Sequence, residues 1–166
     1  MSPSALAWLA TVPLAAAACG PVQPGPPKPA HALEGSLSVL VDLGFDVAHV
    51  DVSDNDLAVR YGRKQGDGED TVFKATAIIS DLVLVQNGSI DLAEVLPSGV
   101  QRGLMSRDVL NDPRRAFPKL QRGRVILDRV PVSGENVNVD LAVTFEAGID
   151  FASGRTVFGK FEANVL

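Results

Sequence analysis

The stretch Asn136-Val137-Asn138-Val139-Asp140-Leu141-Ala142-Val143-Thr144-Phe145 decides the fold. Val137, Val139, Leu141, Val143 and Phe145 alternate with Asn136, Asn138, Asp140, Ala142 and Thr144. A period of two sends successive side chains to opposite faces, so this is a strand with one buried and one wet face. The same period recurs upstream. Phe73, Ala75, Ala77 and Ile79 interleave with Val72, Lys74, Thr76 and Ile78. Leu57, Val59 and Tyr61 alternate with Ala58 and Arg60, and Val125, Leu127 and Arg129 with Ile126, Asp128 and Val130. A last strand is predicted over Thr156 to Ala163.

Turn residues punctuate these runs. Ser53-Asp54-Asn55-Asp56 links a strand ending near Val52 to one starting at Leu57, and Gly66-Asp67-Gly68 separates Arg63 from Thr71. Asn87-Gly88 parts Leu82–Val85 from Ile90–Leu92. Asn-Gly suits a tight turn because both residues tolerate positive φ. Ser133-Gly134 and Gly148 to Gly154 do similar work. Short strands at this spacing define an all-β chain, an antiparallel β-sandwich or barrel, with room for one short helix. Leu33 to Phe45 reads as a strand or a short amphipathic helix. Leu92 to Leu110 carries a weakly helical run over Ser98–Leu104 or Arg107–Leu110, stopped at Asp112-Pro113.

Upstream of the strands the composition changes. Ala5 to Ala18 is an apolar run with no charged side chain, shorter than the roughly 20 residues that span a bilayer. It fits the apolar and cleavage regions of a secretory signal, with Ala16 and Ala18 as the small-x-small pair. Cys19, the sole cysteine, follows, and then Pro21, Pro24, Pro26, Pro27 and Pro29. Ala16-Ala17-Ala18-Cys19-Gly20 resembles the lipobox of bacterial lipoproteins, although Leu14 lies five residues before the cysteine and no Lys or Arg precedes the apolar run. The resemblance implies cleavage after Ala18 and acylation of Cys19. With Gly20 in place of Asp, it also implies an outer-membrane destination; otherwise the protein is periplasmic or secreted. The expected organisation is a signal peptide over 1–18, a lipidated cysteine and Pro-rich tether over 19–32, and a β-domain over 33–166. The ending Gly159-Lys160-Phe161-Glu162-Ala163 is similar to the G-x-F-x-A strand that closes many envelope lipoproteins, a likeness that carries no activity.

The net charge of −5 conceals an asymmetry. Glu34 to Gln101 holds twelve acids and four bases, a net −8, whereas Arg102 to Arg129 holds eight bases and three acids, a net +5. Such blocks orient a partner electrostatically or meet each other within the fold. An acidic exported protein is a poor partner for nucleic acid. The candidate ligand-binding residues are Arg114, Arg115, Lys119, Arg122 and Arg124, because arginine forks suit carboxylates and phosphates. Envelope proteins, anionic glycans and anionic lipids are the expected partners, beside the membrane itself.

Catalytic chemistry is thinly represented. His49 is the only histidine past the tether; no G-x-S-x-G elbow, phosphate loop or dinucleotide fingerprint occurs, and zinc ligands do not cluster. No catalytic residue is nominated. Asp51, Asp54 and Asp56 crowd one turn and Asp67, Glu69 and Asp70 another, and calcium is the one cofactor such oxygen-rich loops suggest. Aspartates also favour turns through bonds to the local backbone. Two functional readings follow. One is a lipid-anchored envelope protein with a non-catalytic binding, scaffolding or surface-structural role. The other is a hydrolase of an envelope or extracellular polymer, built on His49 or an acidic pair.

Overall fold

The computed structural model describes residues 29–166, with the side chains of Pro113, Arg114 and Arg115 outside the description. The leader, Cys19 and most of the Pro-rich stretch lie outside the described residues. The chain is all-β. Its strands are β1 (His31–Ala32), β2 (Gly44–Phe45), β3 (Val47–Val52), β4 (Asp56–Gln65), β5 (Gly68–Ile78), β6 (Ser89–Asp91), β7 (Gly103–Val109), β8 (Asp112–Ala116), β9 (Leu120–Leu127), β10 (Asn136–Phe145) and β11 (Thr156–Val165). A single 3-10 turn at Ser36–Val39 is the only helical element among the described residues. None of the described helices is long and apolar enough to cross a membrane.

Nine strands form one sheet in the order β6-β9-β10-β11-β3-β4-β5-β7-β8, curled into a nearly closed barrel. Val137, Val139, Leu141, Val143 and Phe145 of β10 all point inward, as their alternation predicts. They meet Val50, Leu57, Val59, Tyr61 and Phe73 from the other side of the wall, all nearly inaccessible to water. Burying each such side chain contributes about 1.5–3 kcal/mol.

Every neighbouring pair but one is antiparallel. β11 runs parallel to β3 and pairs with it only at Asn164–His49 and Val165–Val50. Beyond those two pairs the strands diverge, and residues 31–45 fill the gap. β1 pairs with β2, Leu33 donates to the Leu43 carbonyl, and Glu34 bridges to Phe158 of β11. Phe45 packs edge-on against Phe161 at 4.8 Å and against Tyr61 at 5.0 Å. Leu33–Phe45 is thus neither one strand nor one helix but a plug. It takes in His31 and Ala32, which the residues place in the tether. Gly35 belongs to this plug with φ +119, a backbone that L side chains rarely adopt.

The other closure runs through Leu92–Glu94. Leu92 donates to the Gly123 carbonyl of β9, while its own carbonyl accepts from Gly103 of β7, and Arg102 donates to Glu94. The helical expectation for 92–110 is overturned: residues 103–109 are strand β7, paired with β5 and β8. Gly103, Met105 and Arg107 face inward and alternate with exposed or half-exposed neighbours, a period of two rather than 3.6. Asn87 adopts φ 56 in the expected turn, but Leu82–Val85 before it is not a strand.

Candidate functional site

Strand register assembles a concave surface on the outside of the barrel. On the outer face of β9, Arg122 and Arg124 stand two residues apart and therefore side by side. Arg124 lies opposite Ala142 of β10 and Asp91 of β6, and Ala142 lies opposite Phe158 of β11. One row along, Arg122 faces Thr144, which faces Thr156. The small side chain of Ala142 leaves a groove of about 570 Å³ between the arginines and the half-exposed Phe158. Beneath the rim, Gly123 is enclosed by Leu120, Leu92 and Val143, with no room for a side chain on the inner face.

The groove is electrostatically available to an anion. Arg124 has only a distant carboxylate, Asp140 at 3.9 Å, and both side chains are well exposed, so the pair contributes little. Arg122 makes no ion pair among the described residues. Asp91 is engaged at its base, where its carboxylate accepts from the Ala93 amide. Thr144, Thr156, Ser89 and Gln121 add hydroxyl and amide groups around the rim. Two guanidinium forks on a rigid strand can grip a carboxylate or phosphate in a fixed geometry.

The five expected ligand residues do not form one site. Arg122 and Arg124 share this groove. Lys119 instead lines a separate, more apolar cleft of about 500 Å³, with Val100, Leu104 and Phe117. Arg114 and Arg115 lie on β8, where Arg115 sits opposite Arg107 of β7; their side chains fall outside the described residues. Two further members of the basic block are internal. Arg102 is 2% exposed and binds both oxygens of Asp81 at 2.7 and 2.8 Å, Glu94 at 2.8 Å and the Ile78 carbonyl at 2.7 Å. Arg107 donates to the carbonyls of Asp42 and Val72 and pairs with Asp112. The acidic and basic halves of the sequence therefore meet partly inside the fold. Asp91, Phe158 and the threonines escaped the sequence reading because their only signal is their register beside Arg122 and Arg124.

Other expected chemistry is placed as follows. Among the described residues no three His, Cys, Asp or Glu side chains converge to hold a metal, and this includes the turn that carries Asp51, Asp54 and Asp56. The Ser53 hydroxyl accepts from the Asp56 amide and donates to the Asp56 carbonyl, which also accepts from the Ser53 amide, the turn chemistry that Ser favours. His49 lies on β3 with its Nε2 3.4 Å from Glu69, and no Ser or Thr hydroxyl bonds to it among the described residues. No protein family, curated protein or solved structure matches the chain.

Proposed function

We propose that this protein is a lipid-anchored, non-catalytic component of a bacterial envelope whose barrel holds a carboxylate- or phosphate-bearing ligand in the Arg122–Arg124 groove. The observation that carries the reading is the pairing of two arginines, neither neutralised at close range, over a floor opened by Ala142. The groove falls within the 300–1,000 Å³ range usual for small-ligand sites, enough for a sugar acid or a phosphorylated headgroup. The anchor rests on the lipobox resemblance at Cys19. Nine residues separate Cys19 from Pro29, so ten residue-to-residue steps reach at most about 35 Å at full extension, which keeps the barrel close to its membrane.

Amide shift mapping with inorganic phosphate and with oligogalacturonate tests the groove. Shifts are expected at Arg122, Arg124, Ala142 and Thr144, and their disappearance in the Arg122→Glu/Arg124→Glu variant. A groove that stays silent to both probes overturns the reading. Metabolic labelling with a palmitate analogue tests the anchor, with label expected on the natural chain and absent from Cys19→Ala.

A further inference from the structure

On the wall away from the groove, register lines up a second set of basic side chains. His49 of β3 is the cross-strand partner of Arg60 on β4, and Arg60 is the partner of Lys74 on β5. All three are half-buried on the outer face. Adjacent strands lie about 4.8 Å apart, so the row spans about 10 Å. Like charges set directly opposite each other across a sheet are destabilising. A row of this kind calls for an anion above it.

The chain sets two carboxylates near the row, Asp51 and Glu69, and of these only Glu69 comes within ion-pair range, loosely. Glu69 holds its carboxylate 3.4 Å from His49 Nε2 and 3.4 Å from Arg60 Nη1, longer than the 2.7–2.9 Å of a good charge-assisted bond. It reaches that position by lying over Gly62, where any Cβ would collide with the carboxylate. Lys74 makes no ion pair among the described residues. Beside these groups is a pocket of about 270 Å³ lined by His49, Asp51, Arg60, Thr71 and Lys74, with Ala58 and Leu166 completing the lining. His49 Nδ1 is buried with no hydrogen-bond partner, so nothing on that side pins the ring.

We infer that this pocket is an oxyanion site for a phosphate- or sulfate-sized group, with Glu69 as a tethered competitor for the same cations. Arg60 and Lys74 grip the anion, Thr71 donates its hydroxyl, and the Glu69 carboxylate swings aside when the anion enters. Gly62 makes the competitor possible, since any larger residue there expels the carboxylate. The inference does not depend on the Arg122–Arg124 groove.

Titration with inorganic phosphate at constant ionic strength, read by amide and His49 ring shifts, tests it. Saturable shifts at His49, Arg60 and Lys74 are expected, weakened about tenfold or more in Lys74→Gln. Glu69→Gln and Gly62→Ala should each tighten binding, the first by removing the competing charge and the second by displacing it. Arg122→Glu/Arg124→Glu should leave this binding unchanged, which separates the two sites. Absence of shifts at the three basic residues, or unchanged affinity in both Glu69→Gln and Gly62→Ala, overturns the inference.

Discussion

Tyr61 is completely buried among Phe45 and Phe161, and its hydroxyl has no hydrogen-bond partner. Leaving such a group unsatisfied costs about 1–3 kcal/mol. Tyr61→Phe is expected to raise stability by about 1 kcal/mol in urea unfolding at neutral pH. Burial, with a smaller contribution from Asp140, pushes the phenol well above its ordinary range. The stability from keeping it neutral is complete below about pH 10 and declines as pH rises beyond that, where the unfolded chain ionises first. Tyr61→Phe should therefore also flatten the alkaline loss. An unchanged neutral-pH midpoint and an unchanged alkaline limb would place a solvating partner on the hydroxyl. At this scale the sequence was readable by face and unreadable by partner. The alternation around Tyr61 predicts an inward ring, while nothing local predicts that its hydroxyl is stranded.

Between elements, the barrel closes at a place where backbone pairing gives way to a side chain. Gln101 Nε2 donates to the carbonyls of Leu120 and Ala93, and its Oε1 accepts from the Leu120 amide at 2.7 Å. The side-chain amide thus stands in for a peptide group across the gap between β7 and β9. Gln101→Leu strips a partner from one N–H and two carbonyls and should cost about 3 kcal/mol, at about 1 kcal/mol or more for each group. Gln101→Glu keeps an acceptor for Leu120 but has no donor, and should recover only part of that loss. Hydrogen exchange at the Leu120 amide checks both, with faster exchange expected in the leucine variant. The strand over 103–109 escaped the sequence reading because Gly103 and the buried Arg107 occupy inward positions where apolar side chains are expected. Arg107 can face inward because two carbonyls and Asp112 receive its protons. That provision depends on tertiary neighbours.

For the whole molecule, charge placement governs the response to acid. The Arg102 guanidinium, chiefly through its hydrogen bonds, holds the Asp81 carboxyl below the usual carboxylate range. Asn138 does the same for Asp128 through its side-chain and backbone donors. Both folded values are depressed, so the stability they confer is present above the unfolded value of about 4 and is lost as pH falls below it. The urea midpoint should drop between about pH 5 and pH 3, and Asp128→Asn should shrink that drop. A variant with the full acid dependence would remove Asp128 from the account.

The sequence by itself determined that this is a β protein, which residues face inward on β4, β5 and β10, and where most hairpins turn. Those features follow from a period of two and from local turn chemistry, which act within a few residues. It also nominated Arg122 and Arg124. Only the tertiary structure decided that one strand pair runs parallel, that residues 31–45 plug the resulting gap, and that Arg102 and Arg107 are internal. It alone set Arg124 beside Ala142 and Phe158 in a groove, and His49, Arg60 and Lys74 in a row. Register between strands distant in sequence is fixed by how the whole wall closes, and no local pattern encodes that closure.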